Sequence, residues 1–241
     1  MKKSILSIDF DYFQDVPDPS VFQSYPDGID LPTELSTIVW ASKYSFDQDA
    51  DRILSVKPLK NELKILKGIL LNQDPNTTIM IRNSHLEIYN WIHELIPNGQ
   101  PFCLRNVDMH HDLFNGNSFV DCGNWVDQVF RDYGRKSVDF KWIPNPISLK
   151  MYGFEEYEIS DLLIDTVQDI STEKYDYIFL CRSDNWFPPH LDDSFIDILT
   201  VIKSHFAEDS VDAKIGYRDY KAIASEIKRA ALRRRKTVKK E

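Results

Sequence analysis

The most constraining feature of this 241-residue sequence is that short β-rich apolar runs alternate with segments of helical periodicity. The predicted strands are Ser4–Phe10, Thr77–Arg82, Phe102–Val107, Val138–Ile143 and Tyr175–Cys181. The predicted helices are Pro58–Asn72, Leu86–Ile96, Gly123–Tyr133, Asp193–Phe206 and a last helix from about Arg218 into the C-terminus. Because strands that alternate with helices form βαβ units, the sequence predicts an α/β fold with a mainly parallel central sheet.

The chain shows no convincing domain boundary, so we predict one α/β domain over residues 1–227. A proline-rich segment, 14–33, predicts a long loop that could cover a site. Residues 228–241 hold eight Lys or Arg and one Glu, a local charge of +7 in a chain of net charge −9. The remaining 227 residues therefore carry 21 basic and 37 acidic side chains, or −16. Such an acidic body is a poor nucleic-acid surface, and we expect the basic tail to be a solvated helix end.

Composition and targeting signals favour a cytoplasmic protein. The three cysteines, Cys103, Cys122 and Cys181, have an odd count and no CxxC spacing, which predicts reduced thiols. No apolar run approaches the ~20 residues of a membrane span, so no membrane partner is expected. Asp9 comes too early for the N-terminus to be a signal peptide.

Acids and histidines gather where the predicted strands end. Asp9 and Asp11 follow the first strand, His85 follows the second, and the third is followed by Asp108, His110 and Asp112. Ligand sites of parallel α/β sheets lie at the carboxyl ends of the strands. Side chains at i and i+2 of an extended segment share one face, so each motif can present its members in one direction.

Four carboxylates this close would repel one another unless cations neutralised them. Two divalent cations would cancel the four charges, and an oxygen-rich ligand set with one imidazole per metal suits Mn²⁺ better than Zn²⁺. A lone DxD or DxHxD motif is a weak signal, since many loops begin with aspartate, but three sets together favour a metal site. His93, inside an amphipathic helix, and His111, which alternates away from the motif, are predicted not to be ligands.

Asp108-Met109-His110-His111-Asp112, with His85 before it and Asp9-Phe10-Asp11 at the N-terminus, resembles the motifs of the arginase (ureohydrolase) superfamily. The order resembles the compact, circularly permuted arginase-like family that includes peptide arginases. This resemblance implies a three-layer arginase-like fold with helices on both faces of the sheet. It also implies a hydrolase that converts arginine in a ribosomally made precursor peptide to ornithine and urea.

The resemblance implies two Mn²⁺ ions, other divalent metals being possible. One ion would take His85, Asp108, Asp112 and Asp9; the other would take His110, Asp108, Asp9 and Asp11. Asp108 and Asp9 would bridge the two ions as the catalytic carboxylates, and a hydroxide between the ions would attack the guanidinium carbon. The chain departs from the family at Gln14, which replaces the last Asp of DxDxxD, and at Arg82-Asn83-Ser84, which replaces a glycine pair and an Asp.

The substrate-binding candidates lie in two loops. Asp184 could pair with a guanidinium, Trp186 could stack on it, and His190 could shuttle protons. Asn124 could face the substrate, while nearby Asp121 is predicted to cap a helix. The alternative is that Asp184 caps a turn and Trp186 fills a gap in the core.

Other functions explain fewer of these residues. In a haloacid-dehalogenase-like phosphatase Asp9 would be the nucleophile, Asp11 the acid/base, and Asp192-Asp193 would hold Mg²⁺. IDFDYF also resembles the first metal motif of Y-family DNA polymerases, but the later Ser-x-Asp-Glu motif is missing. A deacetylase would need one zinc and fewer carboxylates. A non-enzymatic module could bind an acidic partner through the basic tail, and a homo-oligomer is possible.

Overall fold

The structure, a computed structural model, describes residues 2–26, 30–114, 119–152, 162–164 and 166–238. Within that part of the chain a six-stranded sheet has the order β6-β5-β1-β7-β4-β8, and all its neighbouring strands are parallel. Its strands are β1 (Lys3–Asp9), β4 (Thr78–Arg82), β5 (Phe102–Asp108), β6 (Val138–Pro144), β7 (Tyr177–Cys181) and β8 (Val211–Ala213). A separate antiparallel pair joins β2 (Gln14–Asp15) to β3 (Lys57–Pro58).

Helices cover both faces of the sheet. They are α1 (Thr33–Lys43), α2 (Asp47–Ser55), α3 (Lys60–Asn72), α4 (Glu87–Leu95), α5 (Trp125–Tyr133), α6 (Ser148–Tyr152), α7 (Asp192–His205) and α8 (Tyr220–Val238). Strand β7 shows how the layers form, since Ile178 and Leu180 point into one core while Phe179 and Cys181 point into the other. The first core contains side chains of α3 and α7, and the second contains side chains of α4 and α5. The predicted three-layer α/β arrangement is confirmed.

The predicted strands match the observed ones to within two residues, because strands buried on both faces read as continuous apolar runs. Two predicted helices begin later than expected. Lys57–Pro58 is paired as β3, so α3 starts at Lys60 rather than at Pro58. Residues 121–124 form a turn, so α5 starts at Trp125 rather than at Gly123.

The predicted loop over residues 14–33 is more ordered than expected. It contains β2 and a 3-10 helix, Pro19–Ser24, whose first turn is capped by Asp18. Val21 and Tyr25 are buried in the core, and the Tyr25 hydroxyl donates a hydrogen bond to Gln14 Oε1 at 2.6 Å. Burial of these side chains stabilises a segment that its prolines alone marked as a loop. Residues 27–29, including Gly28, lie outside the described part of the chain.

Helices α1 and α2 were not predicted, because their sequences show little helical periodicity of apolar residues. The buried face of α1 is formed by Thr33, Ser36, Thr37, Trp40 and Ala41, most of which are small or polar. A helix whose buried face is polar does not show the apolar stripe on which helix prediction depends. The short α2 contains only three aliphatic residues, Ala50, Ile53 and Leu54, too few to give a repeating apolar pattern.

Helix α8 extends the chain beyond the core. Tyr220 contacts Tyr44 at the end of α1, with 4.6 Å between ring centroids. From Lys228 to Arg233 the helix is exposed, and residues 239–241 lie outside the described part of the chain. The division into a domain over 1–227 and a tail over 228–241 stays a prediction. Among the described residues, no helix combines the length and the apolar character that crossing a membrane requires.

Candidate metal centre

The carboxyl ends of three strands bring the predicted ligands to one place. Strands β1 and β5 are neighbours, and Ile8 pairs with Val107, so the next residues, Asp9 and Asp108, leave the sheet side by side. β7 lies between β1 and β4, so the segment after β4 must cross over β7 to reach them. His85 does so by stacking on Phe179 of β7, with 5.9 Å between ring centroids and 16° between ring planes.

The first ligand group surrounds one nitrogen of His85. Its Nδ1 lies 3.1 Å from an oxygen of Asp9, 3.1 Å from Asp108 Oδ2 and 3.3 Å from Asp112 Oδ2. A single N–H cannot donate to three carboxylates at once, whereas a cation could be held by His85 together with Asp9 and Asp108, whose ligand atoms lie close to one another; Asp112 lies beside this group but is not part of it. The other ring nitrogen, Nε2, lies 2.7 Å from Ser7 Oγ. A hydrogen bond between Nε2 and this hydroxyl orients the ring and leaves Nδ1 facing the carboxylates, where it could bind a metal.

The second group lies on the other side of Asp108. His110 Nδ1 lies 3.0 Å from Asp11 Oδ2 and 3.7 Å from Asp108 Oδ1. Asp11 Oδ2 is buried, and among the described residues the His110 imidazole is its ion-pair partner. Asp108 therefore directs Oδ2 towards the first group and Oδ1 towards the second, as a bridging carboxylate does. The groups Asp9–His85–Asp108 and Asp11–Asp108–His110 could each hold a metal ion.

The charges of this cluster are not balanced by the protein. Asp9, Asp11, Asp108 and Asp112 are buried, and among the described residues their only salt bridges are with the two histidines. Burial raises the pKa of Asp9 and of Asp11, and a neighbouring carboxylate adds to the effect in each case. Burial and the charges of Asp112 and Asp9 raise the pKa of Asp108 to about 8. The arrangement is therefore costly unless protons or cations neutralise it.

The same carboxylates raise the pKa values of the two histidines, His85 and His110. Burial lowers the pKa of His85, but its hydrogen bonds to Asp108, Asp112 and Asp9 outweigh burial and raise the pKa well above its ordinary value. Burial opposes protonation of His110 too, yet the charge of Asp11 and its hydrogen bond raise the pKa to about 10. When no metal is bound, protons on these imidazoles compensate part of the negative charge of the carboxylates.

Asp112 is held in place by its own backbone and by α5. Its φ of 54° lies in the left-handed region, which is strained for a residue with a side chain. Trp125 Nε1 donates to Asp112 Oδ2 at 2.5 Å, and the amide of Val126 donates to the Asp112 carbonyl at 3.2 Å. The start of α5 thus fixes the carboxylate beside His85.

The two histidines predicted not to be ligands lie apart from the cluster. His111 Nδ1 accepts a hydrogen bond from the Leu113 amide at 3.0 Å, and burial lowers its pKa to about 4. His93, on α4, lies 3.1 Å from Asp132 and 3.3 Å from the Tyr133 hydroxyl. Neither histidine belongs to the two candidate metal groups.

Asp184 has a different role from the predicted one. It does pair with a guanidinium, but that group belongs to Arg182, whose Nε lies 2.5 Å from Asp184 Oδ1. Thr33 Oγ1 donates to the other carboxylate oxygen at 2.6 Å, and Arg218 lies 3.8 Å away. Trp40 Nε1 donates to the Asp184 carbonyl at 2.7 Å. The residue is buried and joins the loop after β7 to α1 and to Arg218, so it is not available to a substrate.

His190 and Asn124 are likewise engaged within the fold. His190 Nδ1 lies 2.6 Å from the Tyr44 hydroxyl and Nε2 lies 3.0 Å from the Val56 carbonyl, so both ring nitrogens have partners outside the cluster. Asn124 closes the turn before α5, accepting from the Asp121 amide at 2.9 Å and donating to the Phe119 carbonyl at 3.0 Å. Each side chain therefore already serves a structural contact, and neither residue lines the cavity beside the cluster.

A cavity of about 740 Å³ opens beside the cluster, and Asp9, His85, His110 and Asp112 line it. Trp186, predicted to contact substrate, also lines this cavity, with its ring 4.8 Å from that of His110. Aromatic and apolar residues form much of the rest of the wall: Phe22, Leu86, Phe114, Phe119 and Met151. Asn115 and Asn117, on the loop after the DxHxD motif, could contact a peptide backbone or only shape a turn; both lie outside the described residues.

One wall residue, Asp30, was missed by sequence reasoning. The Ser84 hydroxyl donates a hydrogen bond to its carboxylate. Burial, opposed by that hydrogen bond, raises the pKa of Asp30 to about 6. Asp30 follows no predicted strand, so its sequence position gave no signal. Asp30 and Phe22, both from the segment predicted as a cover, line the cavity.

Comparison of the chain with protein-family models, with curated proteins and with solved structures found no match. A function for the cluster has to be argued from its own geometry and chemistry.

Proposed function

We propose that the protein is a binuclear metal hydrolase of guanidino groups, and that its substrate is an arginine side chain in a ribosomally made precursor peptide. The observation that carries the proposal is the placement of Asp108. Its two buried oxygens face two separate nitrogen–oxygen groups, one around His85 and one around His110. This is the arrangement that a pair of cations sharing one carboxylate requires.

The donor set suits two Mn²⁺ ions. Each group offers carboxylate oxygens and one imidazole and no thiolate, a combination typical of Mn²⁺ and similar ions rather than of a structural zinc. When bound, two such cations lower the pKa of a shared water and supply hydroxide near neutral pH. Four carboxylates are more than a single ion needs, which favours two ions over the one zinc of a deacetylase.

The chain's residues would bind and orient the guanidinium for addition of water to its carbon. The reaction is R–NH–C(NH₂)₂⁺ plus water, giving R–NH₃⁺ and urea, with one positive charge on each side. The carbon–nitrogen bond to the side chain would break, and the departing nitrogen would take up both protons of the water, one released on its deprotonation and one left on the added hydroxyl. The apolar and aromatic wall of the cavity suits the aliphatic stem of arginine, and Trp186 offers a ring face to the planar cation.

A peptide suits the entrance of the cavity better than a free amino acid. Two of its wall residues, Phe114 and Phe119, are 40% and 67% exposed. Exposed aromatic side chains at the mouth of a cavity offer contact area to a chain that continues beyond the reacting side chain. The acidic body attracts a basic peptide and disfavours nucleic acid. The three unpaired cysteines fit a reducing compartment such as the cytoplasm.

The phosphatase alternative has less support. Its metal acids would be Asp192 and Asp193, but these lie at the start of α7, where Asp192 forms an ion pair with Arg218. Neither residue lines the cavity beside Asp9. This alternative would also leave His85 and His110 without a role.

The proposal is tested by incubating the Mn²⁺-loaded protein with an arginine-containing peptide. We expect urea release and a loss of CH₂N₂ from the peptide, detected by mass spectrometry. Asp108→Asn should abolish both, while His93→Gln, which changes a histidine outside the cluster, should keep both. Release of phosphate from an aryl phosphate with Mg²⁺, without urea from any arginine compound, would contradict the proposal.

A further inference from the structure

Asp30 is a carboxylate of the cavity wall that belongs to neither metal group. Asp30 shares the cavity with Asp9, His85 and His110, but it is not among the residues that converge on the two candidate metal positions. It is tied to the site by Ser84, whose hydroxyl donates to Asp30 Oδ2 and which immediately precedes His85 in the chain. The position of Asp30 is therefore coupled to the segment that carries a candidate ligand.

The charge of Asp30 is not used by the fold. Among the described residues no lysine or arginine forms a salt bridge with it, and its Oδ1 makes no hydrogen bond. The other carboxylates of the wall are engaged. Asp9 and Asp112 lie against His85, and Asp121 Oδ1 accepts from the Gly123 amide at 3.0 Å. Asp30 is thus the wall carboxylate with an oxygen available to a ligand.

A ligand that used Asp30 would need a cation on an apolar stem. The carboxylate is half-buried, where an unpaired negative charge is unfavourable and a bound cation compensates it. Phe22 and Trp186 line the same cavity and can contact a stem or a planar cation. A guanidinium presents two parallel N–H groups to a carboxylate, a stronger and more directional contact than a single ammonium makes.

We infer that Asp30 is the specificity-determining residue of the site: its carboxylate binds the guanidinium of an arginine side chain and holds it in the cavity beside the two metal groups. The inference rests on the proposed function for the reaction. As a statement about binding, it is tested separately.

The experiment compares two peptides that differ in one group, arginine in one and citrulline in the other. Citrulline has nearly the same shape but is neutral. Both are labelled with a fluorophore, and their affinity for the Mn²⁺-loaded protein is measured by anisotropy before turnover. We expect the wild-type protein to prefer the arginine peptide. In Asp30→Asn this preference should fall about tenfold to a hundredfold, as loss of a hydrogen bond to a charged group implies. Binding of the citrulline peptide and the metal content should not change.

Two further variants make the result specific. Asp15→Asn removes the same charge from an exposed position on β2, away from the cavity, and should keep the preference. Asp30→Glu keeps the charge and should restore part of the preference that Asp30→Asn loses. Both Asp30 variants retain a side-chain oxygen for the Ser84 hydroxyl, so the fold is expected to persist, and the metal content verifies it.

The outcomes separate this inference from the proposed hydrolysis. An arginine preference that Asp30→Asn retains would overturn the inference, even if the wild-type protein releases urea. Equal binding of both peptides by the wild-type protein would overturn it too. A preference that Asp30→Asn abolishes, in a protein that releases no urea, would support the inference and refute the hydrolase.

Discussion

Replacing Asp108 by asparagine distinguishes a metal centre from a buried ion pair, because the two explanations predict opposite changes in stability. If Asp108 only served as the partner of a protonated His85, removing its charge would leave a buried cation less compensated. Breaking a buried pair in this way costs about 3–5 kcal/mol. The metal-free variant would then unfold at a clearly lower temperature than the metal-free wild type.

If the cluster is a metal centre, Asp108→Asn should not lower the stability of the metal-free protein. With both imidazoles protonated, four ionised carboxylates would still leave two negative charges in a buried cluster, and the pKa of Asp108, raised to about 8, shows that its charged form is the unfavourable one. Asparagine at position 108 reduces this excess. It can still accept from the His110 amide, which donates to Asp108 Oδ1 at 2.8 Å. Asn106 can turn its amide so that Oδ1, which lacks a hydrogen-bond partner among the described residues, accepts from the new amide. We therefore expect the metal-free variant to be at least as stable as the metal-free wild type.

When Mn²⁺ is added, the wild type should become more stable than Asp108→Asn. At a free Mn²⁺ concentration a hundredfold above the dissociation constant, one site stabilises the wild type by about 2.7 kcal/mol. For a chain of 241 residues this corresponds to a rise in melting temperature of about 5–11 °C. Asp108→Asn should lose most of this rise, since Asp108 contributes to both groups. Thermal unfolding followed by circular dichroism, with and without Mn²⁺, measures all four states. A metal-free variant several degrees below the wild type, or a full Mn²⁺ response in the variant, would refute the reasoning.

Three further predictions concern the surroundings of the cluster. Ser7→Ala removes the hydroxyl that orients His85, and we expect metal affinity to fall about 10- to 100-fold in a chelator competition; unchanged affinity would mean that Nε2 needs no partner. Asp184→Ala leaves Arg182 buried without its carboxylate partner, so we expect the unfolding free energy to fall by about 3–5 kcal/mol, measured by denaturant titration. A fully stable variant with impaired substrate binding would instead indicate that Asp184 contacts the substrate. The metal-free protein should lose stability as the pH rises from about 5 to 9. The pKa of Asp108 is raised from 3.8 to about 8, so the folded state binds more protons than the unfolded state in this range. The raised pKa values of His85 and His110 act in the same direction. Saturating Mn²⁺ should flatten that decline, and a metal-free protein that becomes more stable over the same range would contradict the pKa directions.

Five of the six strands of the main sheet, and the residues at their ends, were predictable because both depend on local patterns; the short edge strand β8 was not predicted. A strand buried on both faces reads as an apolar run, and the end of a parallel strand is where a ligand site forms. Asp9 and Asp108 were therefore located from the sequence, and His85 from its position just beyond a strand. What the sequence did not reveal is that β7 separates β4 from β1, so that His85 reaches the cluster only by crossing Phe179.

Long-range partners explain why two residues predicted for the substrate site, Asp184 and His190, are engaged within the fold. Asp184 has the right chemistry for a guanidinium, but only the fold shows that Arg182 and Thr33 already occupy it. The same holds for His190, because its two ring nitrogens contact Tyr44 and Val56, which lie far from it in the sequence. Polar contacts of this kind follow no periodicity. The same absence of pattern concealed α1, whose buried face is mostly polar, and Asp30, which reaches the site through Ser84.

The most direct test of the central claim is the number of divalent ions bound per chain, measured by native mass spectrometry after Mn²⁺ loading. The wild type should hold two ions. His85→Gln and His110→Gln should each lose one, because the two imidazoles belong to different groups, and His93→Gln should keep both. A wild-type protein that holds no ion, or histidine variants that bind as many ions as the wild type, would contradict the account of this cluster as a binuclear metal centre.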